Sequence, residues 1–311
     1  MTDILSIGEI LIDLTQTGVR LGIPQYAANP GGAPANVAVA AARLGAKSAF
    51  VGKVGPDTFG SFLRQTLIEN NVDASLLYTD ISSPTTLAVV SVDARGERSF
   101  SFYRDNSADT RLTETEALAA LSFHPKVLHF GSVGLTDDPA RSATLSAVRR
   151  AKELGLSVSY DPNYRSALWP DRETAVTRML EPLPMADILK ISDEELPLLA
   201  GTDDLLDGSA RLAKYGITLV LVTLGERGVF YRMGKQTGTL PGIPTKVADT
   251  NGAGDTFLGA VLSRLTRRTG SLLGNLIPEE LEAILSFANR AAAITCSRPG
   301  AIPAMPWEDE I

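Results

Sequence analysis

The sequence is poor in the residues that build disulfide frameworks and zinc clusters. Its 311 residues include a single cysteine, Cys296, and only two histidines, His124 and His129. One cysteine excludes an intrachain disulfide, and with two histidines it leaves no Cys/His metal cluster. The chain also has no apolar run of membrane-spanning length, and its start, MTDILSIGEI, lacks a basic flank. These absences favour a protein of the reducing cytoplasm.

Positive charge and the common nucleotide motifs are scarce as well. Lys and Arg number 29 against 36 Asp and Glu, a net charge of -7, and the densest basic cluster is 264–268. A scattered basic content gives no electrostatic footprint for nucleic acid or an anionic membrane. The chain has no G-x-x-x-x-G-K-[ST] P-loop and no G-x-G-x-x-G after its first strand. Any phosphate must therefore bind at another glycine-rich helix start.

What the chain does have is an alternation of strand-like and helix-like segments. With 44% hydrophobic residues it is long enough for a large α/β domain, and no repeat or low-complexity linker divides it. The strand-like runs are 4–8, 48–54, 127–130, 157–161, 188–191 and 219–223, and the helix-like runs are 35–44, 58–70, 140–154 and 203–215. This order predicts one domain, 1–311, with a parallel sheet and helices on both faces.

Two segments, 11–27 and 86–104, interrupt that alternation because they are β-rich with no helix between strand-like runs. The letters GER at Gly96 to Arg98 are typical of a hairpin turn. We expect the two segments to form a small β-lid over one edge of the sheet; the alternative is two solvated hairpins. Since unpaired strand edges tend to pair, a homodimer through the lid is a further hypothesis.

The stretch ADTNGAGDTFLGA, 248–260, predicts an anion site at a helix start. Gly252 and Gly254 flank Ala253 and let consecutive amide N–H groups point the same way, before a helix that we expect to begin near Asp255. The amides and the positive end of the helix dipole favour a phosphate, and Asp255 can take a proton from an incoming hydroxyl. The alternative is an ordinary turn with an N-capping Asp.

A second glycine-rich block, 31–45, indicates a site for a small polar ligand. Gly31 and Gly32 allow close approach, and Asn36, on the first turn of the following Ala-rich helix, offers both a donor and an acceptor. Asp13, after the first strand, can accept a hydrogen bond from a hydroxyl group. The structural alternatives are a turn, a helix cap and a solvated strand end.

Five blocks between Gly8 and Pro306 resemble, in the right order, the signatures of the ribokinase-like carbohydrate kinases, and most of all the fructokinase branch. The stretch 248–260 resembles the signature in which the aspartate is the catalytic base and the Gly-Ala-Gly amides are the anion hole. The block 31–45 resembles the signature in which the matching Asp, Gly-Gly and Asn hold the sugar. The resemblance implies an α/β, ribokinase-like three-layer fold with a parallel sheet, helices on both faces and a small β-lid.

The same resemblance gives roles to residues around the sugar. In similar fructokinases an arginine that follows the lid strand, here Arg104, reaches over the sugar. We expect the alternating Ser, Phe and Tyr before it to turn a polar edge toward the site. The stretch DPNYRSALW, 161–169, follows a strand, and its Asn163 and Arg165 lie where strand C-termini gather ligands. Asn163 is assigned to the nucleotide and Arg165 to sugar or phosphate, with a loop-bracing salt bridge as the alternative for Arg165.

The segment KISDEEL departs from the family pattern Asn-x-x-Glu, because it carries Ser192 with Glu195. The resemblance implies that Glu195 is linked through water to a Mg²⁺ ion on the nucleotide, whereas a capping box explains the same letters without a metal. Lys190 is assigned to the phosphates of the nucleotide.

Two further segments imply nucleotide contacts. VTLGERG resembles the family's T-x-G-x-x-G nucleotide contact, with Thr223, Gly225 and Gly228 in the matching positions. A glycine backbone lets an adenine or phosphate lie close. FANRAAAITCSRPGAIPAMP resembles the closing segment in which an Asn such as Asn289 flanks the adenine; the alternative is a helix that only packs on the sheet.

The central loop reads Asp249, Thr250, Asn251, Gly252 where the family usually has Asp-Thr-Thr-Gly. In many members a monovalent cation is coordinated by oxygens of this loop and of a later segment, here around Gly300. Asn251 still offers a carbonyl oxygen, so activation by K⁺ stays open.

The implied reaction is transfer of the γ-phosphate of ATP, with Mg²⁺, to the 6-hydroxyl of D-fructose. Phosphoryl transfer needs positioning and charge neutralisation more than covalent chemistry. A 2-keto-3-deoxygluconate kinase or a ribokinase is an alternative on the same core, and the first would need an arginine such as Arg104 or Arg165 for the substrate carboxylate. A sugar-sensing pseudo-kinase is the non-enzyme alternative, although it need not retain both the Gly-Ala-Gly loop and Asp255.

Overall fold

The computed structural model describes residues 2–92 and 98–311. The strands in chain order are β1 (Ile4–Ile7), β2 (Leu11–Arg20), β3 (Ile23–Gly31), β4 (Ser48–Val54), β5 (Val72–Asp73), β6 (Leu77–Thr79), β7 (Leu87–Val92), β8 (Arg98–Tyr103), β9 (Val127–Gly131), β10 (Ser157–Asp161), β11 (Ile188–Ser192), β12 (Leu219–Thr223), β13 (Val229–Met233) and β14 (Gln236–Leu240). The helices are α1 (Ala33–Arg43), α2 (Thr58–Glu69), α3 (Glu114–Ala119), α4 (Ala140–Glu153), α5 (Arg172–Leu180), α6 (Leu196–Ala200), α7 (Leu205–Ala213), α8 (Ala253–Leu265) and α9 (Pro278–Cys296).

The main sheet has the order β14-β13-β12-β11-β10-β9-β1-β4-β5, with β6 paired to β4. Its strands pair in parallel except for β12–β13 and β13–β14. Successive side chains point to opposite faces: Ile4 packs with α1, α8 and α9, and Leu5 packs with α4 to α7. The predicted parallel sheet with helices on both faces is confirmed. Across the described residues, no helix has the length and apolar character needed to cross a membrane.

A second sheet, the lid, has the order β3-β2-β7-β8. Strands β2 and β3 overlap the predicted segment 11–27, and β7 and β8 lie within the described parts of the predicted segment 86–104. The parallel pairing of β2 with β7 joins these strands into one sheet. Its first hairpin reaches further than predicted, because β3 continues to Gly31. Of the predicted turn at Gly96 to Arg98, Gly96 and Glu97 lie outside the described residues.

Helices α1 and α8 approach each other closely at Gly259. A Cβ atom placed on Gly259 would lie 2.6 Å from Ala40 Cβ and 2.9 Å from the Val37 carbonyl oxygen. Such separations are shorter than van der Waals contact, so the approach requires a glycine. Helix α1 carries Asn36, a residue predicted to bind the small polar ligand, and α8 carries Asp255, the predicted base. The contact between the helices therefore also sets the distance between these two side chains.

The variant Gly259→Ala tests this contact. The added methyl group meets backbone atoms that cannot turn away, so we expect a loss of about 1–3 kcal/mol in the free energy of unfolding, as for other overpacked sites. Urea unfolding at neutral pH measures it. The matched control is Gly208→Ala on α7, where the added methyl group meets Leu196 Cδ1, the end of a flexible side chain. Equal losses in the two variants would contradict the special role of the α1–α8 contact.

Candidate active site

A cavity lies between the lid and the carboxyl ends of the central strands. It joins the two glycine-rich blocks, which supply Asn36 and Asp255 from positions 219 residues apart. Its lining residues are Glu9, Leu11, Asp13, Gly32, Ala33, Asn36, Phe102, Val133, Asn163, Arg165, Leu168, Asn251, Gly252, Asp255 and Ala301. The structure therefore brings the predicted base, part of the predicted anion loop and four of the predicted sugar residues to one place. Gly31 and Arg104 are not among the lining residues.

Asp255 is buried in the first turn of α8. Its Oδ2 accepts a hydrogen bond from Asn36 Nδ2 at 2.8 Å. Burial raises the pKa of Asp255, against the lowering effects of Lys190, of the bond from Asn36 and of Arg165. The helix begins at Ala253, slightly earlier than predicted, because Gly252 adopts a left-handed conformation (φ 75°) as its N-cap. The amides of Gly254 and Asp255 thus fall in the first turn, where a helix offers them no acceptor.

Lys190 lies beside this helix start. A Cβ atom on Gly254 would be 2.9 Å from Lys190 Nζ, and Nζ itself donates to Asp161 Oδ2 at 2.9 Å. Burial would lower the pKa of Lys190, but the carboxylates of Asp161, Glu195 and Asp255 outweigh it and raise that pKa. Lys190 is therefore a buried, charged lysine next to the predicted anion site.

Asp13 lies on lid strand β2, opposite the glycine pair. A Cβ atom on Gly31 would overlap the Asp13 carboxylate, so Gly31 makes room for this side chain. Gly32 has φ 107° and forms part of the cavity wall. Burial raises the pKa of Asp13 to about 6, with Arg165 lowering it and Asp255 raising it further. Asp13, Gly32 and Asn36 thus line one cavity, and their binding of a sugar stays a prediction.

Arg104 is buried in a network that starts from the end of the lid. Its Nε donates to Asp109 Oδ2 at 2.7 Å, its Nη1 to Thr136 Oγ1 at 2.6 Å and to Asp137 Oδ2 at 3.1 Å, and its Nη2 to the Val133 carbonyl at 3.1 Å. These contacts tie the end of β8 to the turn after β9, and the predicted reach of Arg104 over a sugar stays a prediction.

The expected polar edge of the lid strand is wrong in one respect. The residue of β8 that lines the cavity is Phe102, whereas Ser101 is exposed. At the end of the strand, 101–103, the side chains alternate with the opposite phase: Phe102 lines the cavity, as Val133 and Leu168 do, and Ser101 and Tyr103 are exposed. The lid thus supplies an apolar surface to the cavity.

Glu195 connects two loops at the sheet edge. Its Oε1 accepts from the Tyr164 amide at 2.7 Å and its Oε2 from the Ser192 amide at 2.8 Å, while Ser192 Oγ accepts from the Glu195 amide at 3.2 Å. The Ser192–Glu195 pair thus has the reciprocal bonds of a capping box. Within 2–92 and 98–311, no group of three or more His, Cys, Asp or Glu residues is arranged to hold a metal ion directly.

Two of the predicted nucleotide residues, Gly228 and Asn289, lie beside the segment that follows β14. Gly225 (φ 60°) and Gly228 (φ 95°) form the turn between β12 and β13, where Thr223 ends its strand. A Cβ atom on Gly228 would lie 2.5 Å from the Gly242 amide nitrogen. Asn289 Nδ2 donates to the neighbouring Pro241 carbonyl at 3.0 Å. Their contacts with a nucleotide stay predictions.

The three residues predicted near a monovalent cation are adjacent. Asp249 Oδ1 accepts from the Asn251 amide at 2.9 Å, and Asp249 Oδ2 accepts from the Gly300 amide at 3.1 Å. The central loop and the later glycine segment are therefore joined through one carboxylate.

Sequence reasoning missed part of the cavity lining. The apolar residues Phe102, Val133 and Leu168 carry no sequence signal that separates them from core residues. Glu9 does carry one, because it follows the first strand of a parallel sheet, where ligands gather. Asn163 has φ 46°, a left-handed conformation that asparagine tolerates and that turns the loop after β10 toward the cavity.

Asp255, a buried carboxylate of raised pKa, lies between a polar cavity and the free amides at the start of α8, beside the charged Lys190. This fold and this arrangement define a small-molecule kinase. The chain belongs to the PfkB family, because residues 1–308 match the pfkB family carbohydrate kinase. The predicted membership in the ribokinase-like carbohydrate kinases is confirmed.

Similar proteins of known name agree with this family. Fructokinase-1 from Oryza sativa subsp. japonica is 45% identical over 312 residues, which cover 99% of this chain and 96% of the relative. A fructokinase from Xylella fastidiosa, solved with bound ATP, is 35% identical with a TM-score of 0.91, covering 99% of this chain and 96% of its own. A double-mutant fructokinase from Vibrio cholerae O395, solved with fructose, ADP and a potassium ion, is 35% identical with a TM-score of 0.87, covering 98% and 96%.

The variant Asp13→Asn tests the electrostatics of the cavity. The pKa of Asp13 is about 6 in the folded state and about 4 in an unfolded chain. The stability that Asp13 contributes is therefore present below about pH 4 and lost as the pH rises through about 6. We expect the free energy of unfolding of Asp13→Asn, relative to wild type, to increase between pH 4 and pH 7 in urea titrations.

Asp171→Asn is the control of opposite sign. Asp171 caps α5, and hydrogen bonds from Thr174 hold its pKa below the usual range. Its variant should lose stability relative to wild type as the pH rises. A difference between Asp13→Asn and wild type that is constant with pH would contradict the raised pKa of Asp13.

Proposed function

We propose that this protein is an ATP-dependent fructokinase that transfers the γ-phosphate of ATP to the 6-hydroxyl of D-fructose, with Asp255 as general base. The observation that carries the proposal is the position of Asp255, between the polar cavity on one side and the amides and Lys190 on the other. The similarity to fructokinases, one solved with ATP and one with fructose and ADP, supports the choice of substrates. We place the enzyme in the cytoplasm, in keeping with its single cysteine.

In this mechanism Asp255 takes the proton of the attacking hydroxyl. Asn36 occupies Oδ2 and no described residue is hydrogen-bonded to Oδ1, which leaves Oδ1 for the sugar. A raised pKa makes the carboxylate a stronger base than an exposed aspartate. The amides of Gly252, Gly254 and Asp255 and the helix dipole then stabilise the negative charge on the transferred phosphoryl group, together with Lys190. The Ala253 amide, also predicted for this role, donates to the Thr250 carbonyl at 3.3 Å.

The cavity suits a neutral sugar. Asp13 and the Asn36 Oδ1 atom, which is buried and lacks a hydrogen-bond partner in the described chain, offer acceptors for hydroxyl groups. Phe102 and the apolar wall beside it suit the carbon face of a furanose ring. Gly31 and Gly32 hold the chain close to this ligand.

The charge of the lining argues against an acidic substrate. The cavity wall contains three carboxyl side chains, Glu9, Asp13 and Asp255, and one cation, Arg165. The lid arginine is committed to Asp109 and Asp137. A substrate carboxylate would meet this excess of negative charge, which favours fructose or ribose over 2-keto-3-deoxygluconate.

The nucleotide is assigned to the strip formed by Thr223, Gly225, Gly228 and Asn289, with Asn163 and Lys190 at its phosphate end. Glu195 fits a Mg²⁺ ion held through water, because both of its oxygens already accept amide hydrogen bonds. Asp161 Oδ1, buried and without a partner in the described chain, is a further oxygen at this edge. When bound, Mg²⁺ would neutralise charge on the phosphates.

For K⁺ we propose the junction of Asp249, Asn251 and Gly300, which supplies several oxygens close to the helix start of α8. The potassium ion in the related Vibrio cholerae structure supports this choice.

A panel of sugars tests the proposed function. In a coupled ATPase assay with fructose, ribose, tagatose, adenosine and 2-keto-3-deoxygluconate, we expect the highest kcat/KM for fructose.

The variant Asp255→Asn tests the general base. It should lower turnover about 10²–10⁴-fold while retaining fructose binding by calorimetry, because the amide keeps the shape but cannot take the proton. A variant within about threefold of wild type in turnover, or a tenfold preference for another substrate, would refute the corresponding part of the proposal. Sugar binding with no turnover of any sugar by the wild type would favour the sensing alternative.

We also propose that the lid forms a homodimer interface. Its outer strands β3 and β8 are the sheet edges. The β2–β3 hairpin exposes a group of apolar side chains, namely Val19 62%, Leu21 92%, Ile23 63% and Tyr26 45%. Unpaired strand edges and exposed apolar side chains are features of surfaces that associate.

The double variant Val19→Glu, Ile23→Glu tests the dimer. Sedimentation velocity at micromolar concentration should give a dimer for wild type and a monomer for the double variant, since buried charges oppose the interface. The control is Ile81→Glu, an equally apolar exposed residue (89%) outside the lid, which should leave the dimer intact. A monomeric wild type would overturn the proposal.

A further inference from the structure

Glu9 is a buried carboxyl group of the cavity wall. It lies between β1 and β2, with 3% of its surface exposed. Its Oε1 accepts from the Ala33 amide at 3.0 Å, at the start of α1. Its Oε2 is buried and has no hydrogen-bond partner in the part of the chain that the structure describes.

A structural role, binding of the Ala33 amide, accounts for only one of the two carboxyl oxygens of Glu9. An acceptor for the Ala33 amide needs one oxygen, which a Ser, Asn or Gln would also supply. The second oxygen is left unsatisfied in a buried setting, which costs free energy. Burial accordingly raises the pKa of Glu9 to about 7. Asp109 raises it further, while the backbone amides of Glu9 and Ala33 and the charge of Arg104 lower it.

The neighbouring charges do not satisfy that oxygen. The guanidinium of Arg104 is directed to Asp109, Thr136 and Val133. The position of Glu9 is nevertheless well defined, because a Cβ atom on Gly32 would lie 2.6 Å from the Glu9 carbonyl oxygen. The backbone of Gly32 therefore lies in close contact with the backbone of Glu9, which fixes the position of Glu9 in the cavity wall.

We infer that Glu9 is a substrate-binding residue whose Oε2 hydrogen-bonds a hydroxyl of the sugar other than the one that reacts. This inference rests on the proposed sugar-kinase function. A polyhydroxylated ring in the cavity presents one hydroxyl to Asp255 and further hydroxyls to Asp13 and Glu9, all of which line the same space. The hydroxyl donates to Oε2 of the Glu9 carboxylate. A Gln at this position would not offer that acceptor, because its single oxygen is needed by the Ala33 amide. The bound sugar then satisfies the oxygen that is unpaired in the protein alone.

A cycle of variant and substrate analogue tests this role. We expect Glu9→Gln to raise the KM for fructose roughly tenfold or more, with the KM for ATP changed less than about twofold. The same pair of enzymes is then assayed with 1-deoxy-, 3-deoxy- and 4-deoxyfructose. With the analogue that lacks the partner hydroxyl, the variant and wild type should have equal KM, because the contact is already absent. With the other analogues the difference should persist.

Asp57→Asn is the matched control. Asp57 is also a carboxylate that accepts backbone amides, from Gly60 and Thr85, but it lies outside the cavity wall. It should change the KM for fructose and for ATP little and equally. Thermal unfolding of each variant separates loss of fold from loss of binding, and Glu9→Asp, which keeps the charge but shortens the side chain, repeats the cycle if Glu9→Gln is unfolded.

Two results overturn the inference. One is a fructose KM for Glu9→Gln within twofold of wild type; the other is a KM increase of the same size with fructose and all three deoxy sugars, which would make Glu9 a brace for α1. Failure of the proposed function is separate, because it appears as a wild-type enzyme that phosphorylates no fructose.

Discussion

The contact between α1 and α8 is the constraint on which the active site depends. Gly259 lets the two helices approach until Asn36 Nδ2 lies 2.8 Å from Asp255 Oδ2. Each helix also begins at a glycine of positive φ, Gly32 for α1 and Gly252 for α8. The loops proposed to bind sugar and phosphate are therefore the starts of two helices whose bodies are packed together. A ligand placed between them is aligned by the core, not by mobile loops, which is the preorganisation that phosphoryl transfer requires.

This arrangement lowers the stability of the fold, because it buries several charged side chains. Asp161 and Asp255 both lie inside the protein with raised pKa values, and both face Lys190. Lys190 remains charged because the carboxylates outweigh its own burial. Clusters of this kind destabilise a fold relative to apolar packing, and they are typical of functional sites. The ammonium group of Lys190 forms a salt bridge with Asp161 in the ligand-free protein. It also lies beside the start of α8, where an anion would bind.

How much was predictable from the sequence depended on the range of the interactions. Strands such as Ser48–Val54 were predicted with their observed ends, because local apolar runs between polar turns define them. The start of α8 was placed slightly late, since the left-handed cap at Gly252 decides it. The partners of Arg104, including Thr136, are set by packing between distant segments, which no local pattern encodes. Glu9 had a strand-end signal, yet its unpaired oxygen is visible only in three dimensions.

The two ends of the lid differ in how many buried contacts hold them. At the β8 end, Arg104 bonds the Val133 carbonyl, and Val133 lines the cavity together with Phe102. This part of the wall is thus fixed to the main sheet by a buried, multiply bonded guanidinium. At the other end, the β2–β3 hairpin is largely exposed up to Leu21 at its tip. Since local opening favours segments with few buried contacts, we expect any movement of the lid to lie in this hairpin, which carries Asp13 at its base.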